Sequence, residues 1–377
     1  MTARPTGPSV FAVEDTAVQV TWRGLRPGRW RFSVAGAPPV AVDVGPGGPP
    51  GAVVVDGLAP GRPGVVHVAG ERDSWSLPFT TLAPPPGDLL FRLATLSDLH
   101  VGSRRVGHLP RVVDDRGSEP SALRCARAAL DEAVAWGADL VVVKGDVVQE
   151  GTPANWDAVG PVLASAPVPV EVMAGNHDVG RRARIRAKDG AGRWGLPLVE
   201  DVRVLDVPGL RVVLVDTPLP GHGHGRVAHR RAAVAEALRD ARRDGRPALV
   251  AMHHYLQRWA VPTFWPPGVP GPEGRAFLDA VAAANPATLV TCGHTHRHRR
   301  RRHGPVVVTE VGSTKDYPGT WAGYAVHEGG IRQVVRRTAD PEAIDWTERV
   351  GTTLQGVWAW WAPGRLDERC FTHPWPS

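Results

Sequence analysis

Between residues 17 and about 82, short runs of apolar and β-branched residues ("AVQVTWRGL", "WRFSVAG", "VAVDVG", "AVVVDGL", "GVVHVAG", "SWSLPFTTL") recur between Gly/Pro clusters such as "GPGGPPG" and "APGRPG". Evenly spaced strands with turn signals between them predict a small all-β sandwich of the immunoglobulin or fibronectin kind over residues 1–84. Consecutive prolines in "LAPPPGD" at 82–88 stop both helix and sheet pairing, so a linker is expected there. After it, buried-type strands ("LLFRLATLSD", "DLVVVKGD", "VPVEVMAGN", "LRVVLVDT", "PALVAMHH", "ATLVTCGH") alternate with runs of helical period ("SALRCARAALDEAVAWG", "RVAHRRAAVAEALRDARRDG", "PEGRAFLDAVAAAN"). The alternation predicts an α/β core over 88–335, closed by antiparallel strands at "GPVVVTEVG" and "YAVHEGGIRQVV". In the first of those helices Ser121 is the expected cap and Gly137 the expected stop. Residues 336–377 read as an extension lying on the body, the tryptophans of "DWTERVGTTLQGVWAWWAPG" (Trp346, Trp358, Trp360 and Trp361) serving as packing.

Composition changes this picture little. Of 377 residues 42% are apolar and 22% charged, ordinary values for a globular protein, and 43 Gly with 37 Pro add turns and loops. The net charge of +6 is almost all arginine, Lys144, Lys188 and Lys315 being the only lysines, and no nucleic-acid module is recognisable, so no nucleic-acid partner is expected. Cys125, Cys292 and Cys370 are too few and scattered for a disulfide framework or a thiolate metal site. No basic leader with an apolar core opens the sequence and no run of ~18 apolar residues occurs. A cytoplasmic protein without a membrane span is expected.

The chemistry lies where the core strands end. The first runs out into Asp98 and His100, the second into Asp146, the third into Asn176, His177 and Asp178, and later ones into His253 and His254 and into His294 and His296. Sites in open α/β sheets form beyond the carboxyl ends of strands. So many carboxylates and imidazoles on one rim, with no obvious cationic partner, would repel and be costly to desolvate, and metal ions resolve the conflict. Oxygen and nitrogen donors without thiolate suit Fe, Mn or Zn, and the number of donors exceeds what one ion can use. Asp146 is the expected bridge, since a carboxylate can span two ions roughly 3.5–4 Å apart.

The blocks "DLH", "GD" at 145–146, "GNHD" at 175–178, "HH" at 253–254 and "GHTH" at 293–296 stand in the order found in calcineurin-like metallophosphoesterases, which residues 90–330 resemble. "GDVVQEGTPANW", "LVDTPLPGHGHG" and "GHTHRHRRR" bring the likeness nearest to the class III cyclic-nucleotide phosphodiesterase branch. The resemblance implies a four-layer α/β/β/α sandwich holding two divalent or trivalent transition-metal ions. It implies one ion on Asp98, His100 and His296, the other on Asn176, His253 and His294, and Asp146 on both. Because "HHYL" lacks the family's proline, His254 is the alternative to His253. The implied reaction is attack of a metal-activated hydroxide on a small phosphoester, His177 acting as general acid and Asp178 fixing its tautomer.

Diester and monoester hydrolysis both remain open, as does a non-catalytic scaffold. The sandwich ahead of the core also resembles purple acid phosphatases loosely, although Gln149 stands where their tyrosine would be. Around the site, His224 and His254 are expected to touch substrate, the former beside His222 on "PGHGHGR". "GRRARIRAKDGAGRW" is expected to form a lid and the loop carrying His108 a further cover, while His298 and His303 flank an arginine hairpin edge at 299–302.

Overall fold

A computed structural model describes residues 7–107, 110–114 and 119–376; His108 lies outside the described residues. The first seven strands, from Gly7–Val13 to Ser74–Thr80, form a three-stranded and a four-stranded antiparallel sheet. Val18, Val20, Trp22, Trp30, Phe32 and Val66 fill the space between them.

The core carries two larger sheets. In the first, Leu89–Leu96, Leu140–Lys144 and Val170–Met173 run parallel, and Thr320–His327, Gly330–Arg337 and Phe371–Pro374 extend the other edge as antiparallel strands. In the second, Leu210–Val215, Ala248–Met252, Thr288–Cys292 and Val306–Glu310 run parallel, and Val202–Val207 and Arg299–His303 are antiparallel strands at its two edges. Strand alternation explains the layering. Val142, Leu93 and Met173 point from the first sheet, and Val212, Leu214, Leu249 and Leu289 from the second, into one shared interior. Their neighbours Val141, Val143 and Val172 face the helices Ser121–Ala135 and Pro153–Ala164, while Val213, Val215, Val250 and Met252 face Arg231–Arg243 and Gly271–Ala284. Helix, sheet, sheet, helix is the four-layer order expected.

Local differences have local causes. Ser121 does not cap its helix; Pro120 occupies that position and Asp114 receives both the Ser121 hydroxyl and its N–H. The helix expected from 226 begins at Arg231, because Glu273 draws the Val227 and Ala228 N–H groups into a turn at 2.6 and 2.7 Å. Pro153–Ala164 is a helix that the apolar pattern does not announce, started by Thr152, whose hydroxyl accepts from Asn155 N–H at 3.3 Å. His298 is buried rather than on an exposed hairpin, accepting from Gly312 N–H at 3.1 Å. Among the described residues no helix is long and apolar enough to cross a membrane.

The sandwich is fastened to the core through Gly330–Arg337: Gln19 exchanges two hydrogen bonds with the Arg337 backbone, and buried Glu14 accepts from Arg332, Arg336 and Trp136. The helix Pro341–Val350 packs Ala343, Trp346 and Val350 on Cys125 and Ala128. Beneath the site, the fully buried Lys144 ammonium crosses from one sheet to the other, donating to Thr291 Oγ1 at 2.9 Å and to the Cys292 carbonyl at 3.0 Å.

Burial pushes the Lys144 ammonium down from 10.5 to about 8. Between pH 8 and 10.5 the unfolded chain therefore binds the proton that the folded protein has released, so this group's contribution to stability rises with pH across that window, by up to about 3 kcal/mol. Urea unfolding of the wild type and Lys144→Met at pH 8 and pH 10 checks this: the difference in pH slope between the two proteins is expected to carry that sign.

Candidate metal centre

Five of the seven non-glycine residues with left-handed backbone among those described are Asp98, His100, Asp146, His294 and His296, with φ between 47° and 69°. Such conformations are costly for side-chain-bearing residues and persist where surrounding contacts enforce them. Here they turn the chain at each strand end so that its last polar side chains converge. The two motif glycines make room: a Cβ on Gly175 would collide with Asp146, and one on Gly293 with Ser97 and Asp98. Gly175 is thus needed for space, its φ being one that other residues adopt.

Asp98 binds the two sheets at this point. Both its carboxylate oxygens accept from His294 N–H at 3.1 Å, its own carbonyl accepts from Ser313 Oγ at 2.7 Å, and its N–H donates to the Gly145 carbonyl at 3.1 Å. Asp146 Oδ2 lies between two imidazoles, 3.6 Å from His100 Nε2 and 3.5 Å from His253 Nε2. His100 Nε2 is 3.1 Å from His296 Nε2, which is 3.4 Å from Asp98 Oδ1. On the other side His253 Nε2 stands 3.1 Å from Asn176 Oδ1 and 3.2 Å from His294 Nδ1. Asp98, His100, Asp146 and His296 form one group of atoms able to hold an ion, and His253, His254 and His294 another.

The outer ring nitrogens decide the inner ones. His253 Nδ1 faces the Lys144 carbonyl at 2.9 Å, His294 Nε2 the Pro266 carbonyl at 2.9 Å, and His296 Nδ1 the Asp316 carboxylate at 2.5 Å. Each oxygen holds a proton on the outward nitrogen, and the inward one is left as a lone pair. Burial, then His177, keeps His100 well below its usual pKa, and burial with His253 takes His294 down to about 4, so both are neutral donors near pH 7. His296 differs: burial opposes its charge, but Asp98 and Asp316 push its pKa up to about 10. These donors are oxygen and imidazole nitrogen alone, and they fit transition-metal ions.

The site does contain a cationic partner, contrary to expectation. Lys315, buried, donates to Asp316 Oδ1 at 2.6 Å, and its carbonyl accepts from Trp346 Nε1 at 2.9 Å. Lys315 and Asp316 sit in the tract "GSTKDYPG" after the strand Val306–Glu310, and a lysine and a carboxylate at one more strand end were the available signal.

Residues 91–298, more than half of the chain, match the model of the calcineurin-like phosphoesterases. The chain belongs to that family. Calcineurin-like phosphoesterases use divalent metal ions, and this one is a hydrolytic enzyme acting on phosphoesters. It is 26% identical over 249 residues to a probable cyclic nucleotide phosphodiesterase of Psychrobacter arcticus, covering 63% of this chain and 85% of that protein. It is 28% identical over 176 residues to the 3',5'-cyclic adenosine monophosphate phosphodiesterase CpdA of Pseudomonas aeruginosa, covering 47% and 61%. To the glycerophosphodiester phosphodiesterase GpdQ of Enterobacter lignolyticus it is 25% identical over 189 residues, covering 47% and 62%. The chain thus spans somewhat less than two thirds of the length of the last two.

Around this phosphoesterase centre three expectations need correcting. Asp178 does not orient His177: fully buried, it accepts from Gly175, Val148 and Val147 N–H groups at 2.7, 2.8 and 3.2 Å and so shapes the turn. His177 Nδ1 instead faces the Gln149 carbonyl at 3.1 Å, with the Gln149 side-chain amide at 3.3 Å. His254 is sealed from solvent, its Nδ1 2.9 Å from Thr217 Oγ1, so no substrate reaches it. His222, not His224, lines the cavity beside Asn176 and His177, and His224 packs edge-on against it at 5.2 Å. The tryptophans divide: Trp346 is buried, but Trp358 lies 6.5 Å from His296, and Trp361 stacks at 5.8 Å on Phe264, itself 6.1 Å from His294.

Removing the Asp178 carboxylate strands three buried N–H groups, each costing ~1–3 kcal/mol. Asp178→Ala is therefore expected to lower the unfolding free energy of the metal-loaded protein by about 3 kcal/mol or more in urea titration; a loss under ~1 kcal/mol would refute the assignment.

Proposed function

We propose that the protein is a two-metal phosphodiesterase in which His177 is the general acid. The observation that carries the reading is the position of Asp146, whose one carboxylate oxygen lies 3.6 Å from His100 and 3.5 Å from His253, so that it would be shared by ions held on either side. Asp98, His100 and His296 would hold one ion, Asn176, His253 and His294 the other. His253 is preferred to His254 because its inward nitrogen faces both Asn176 and Asp146, whereas no contact of His254 with either is seen and its Nδ1 is tied to Thr217.

When bound, the ions supply a water of lowered pKa and neutralise phosphoryl charge. The chain's own residues do the rest. Asp146 accepts His177 N–H through its other oxygen at 2.8 Å, which fixes the acid relative to the bridge. The Gln149 carbonyl accepts a hydrogen bond from His177 Nδ1–H, so Nε2 is left for the cavity shared with His100, His296 and Lys315 and can pass its proton to the departing oxygen. Neutral Asn176 contributes a donor without adding negative charge. Relatives named for cyclic nucleotides and for glycerophosphodiesters support a diester over a monoester.

Protein purified without chelator is expected to contain about two equivalents of Fe, Mn or Zn by elemental analysis, and Asp146→Asn fewer. Hydrolysis is expected for bis(p-nitrophenyl) phosphate and cyclic nucleotides, above that for p-nitrophenyl phosphate. His177→Ala should cost ~10²–10⁴ in kcat on a diester with an alkoxide leaving group but much less on the nitrophenyl diester, whose leaving group needs no proton. Equal losses on both would remove His177 from the acid role, and metal-free protein with no turnover would leave a scaffold.

A further inference from the structure

One wall of the catalytic cavity is strongly basic. From His100, His177 and His296 a space of about 650 Å³ extends outward past Lys315, Arg104, Arg105 and Arg182. Two of these charges are compensated: Lys315 by Asp316 at 2.6 Å and Arg182 by Glu150 at 3.0 Å. Arg104 and Arg105 have no carboxylate partner among the described residues, and both are exposed at the mouth. Their backbone is nevertheless fixed: the Arg104 carbonyl accepts from Asp114 N–H at 2.9 Å and the Arg105 carbonyl from Ser103 Oγ at 3.0 Å.

A phosphodiester carries one negative charge, and the metal centre is placed to receive it. Two further guanidinium groups without a carboxylate partner among the described residues, in a cleft whose walls focus the field, hold capacity for another anion. Resting on the phosphodiesterase reading above, we infer that the preferred substrate is a small phosphodiester bearing a second anionic group, phosphate or carboxylate, which Arg104 and Arg105 receive while the scissile phosphorus sits at the metal centre. A cyclic mononucleotide, having a single charge, leaves this subsite empty.

The test uses two chromogenic substrates that differ only at this point: the p-nitrophenyl ester of thymidine 5'-monophosphate and the same ester carrying a 3'-phosphate. In the metal-loaded wild type kcat/KM is expected to be about tenfold higher for the 3'-phosphorylated ester, as for an added charge-assisted contact, and the preference should shrink as salt is raised. Arg104→Gln/Arg105→Gln should bring the ratio near one. Arg239→Gln/Arg242→Gln, the same change of net charge on the remote helix Arg231–Arg243, should keep it. Equal kcat/KM for the two esters in the wild type, or a preference that survives in the Arg104/Arg105 variant, would overturn the inference while leaving phosphodiesterase activity standing. Should neither ester be cleaved, the phosphodiesterase reading fails, and calorimetric binding of thymidine 3',5'-bisphosphate against thymidine 5'-monophosphate still decides the subsite: at least fivefold tighter binding of the bisphosphate, lost in Arg104→Gln/Arg105→Gln, supports it, and equal binding overturns it. Single-stranded oligonucleotide competing better than the bisphosphate would overturn the assignment to a small molecule.

Discussion

The contact on which the rest depends is the Asp98 carboxylate receiving the His294 N–H. Asp98 ends the central strand of one sheet and His294 follows a central strand of the other, so one buried hydrogen-bonded charge sets how closely the two carboxyl edges approach. Desolvating a carboxylate is expensive. It is repaid by the Ser97 hydroxyl at 2.6 Å and by His296 and His253, which, against the effect of burial, hold Asp98 well below the ordinary carboxylate range. Lys144 repeats the arrangement one layer down, with the sign reversed.

From that closeness the remainder of the centre follows. Strands that ended in regular geometry would point alternate side chains apart; the left-handed turns at Asp98, His100, Asp146, His294 and His296 bring them inward instead. The turns are tolerated because each is locked by a neighbour. His100 N–H donates to the Asp146 carbonyl at 2.8 Å, and Gly293 N–H to the His253 carbonyl at 2.9 Å. Strain in the backbone is thereby exchanged for an ordered set of lone pairs, and the outward ring nitrogens, tied to oxygen, hold the imidazoles in one tautomer.

Much of this could be read from the chain. The ligand-type residues stand at strand ends, and strand ends are visible as apolar runs closing on Asp, His or Asn, so the convergence of Asp98, Asp146, Asn176, His253 and His294 follows from pattern and topology. What could not be read depends on direction rather than position. Adjacent residues His177 and Asp178 diverge because three backbone N–H groups capture the latter, and adjacent His253 and His254 diverge because Thr217 captures one of them. Lys315 and Asp316 escaped notice since neither belongs to a spaced motif and their meaning lies in His296, close in space only. The helix Pro153–Ala164, with Gly160 and Pro161 inside it, contradicts its own local propensities and is held by burial of Trp156, Val159 and Leu163.

The aromatic segment after the core is held at both flanks. Upstream, Pro341–Val350 is anchored in the body; downstream, Phe371–Pro374 is a paired strand of the seven-stranded sheet, and the Ala362 carbonyl between them accepts His298 N–H at 2.9 Å. Swinging Trp358 and Trp361 away from His296 and Phe264 would break the His298–Ala362 hydrogen bond and lift Trp361 off the Arg297 guanidinium stacked on it at 4.3 Å. This flank is masonry and not a door: whatever enters the site meets Trp358 and Trp361 as a fixed wall.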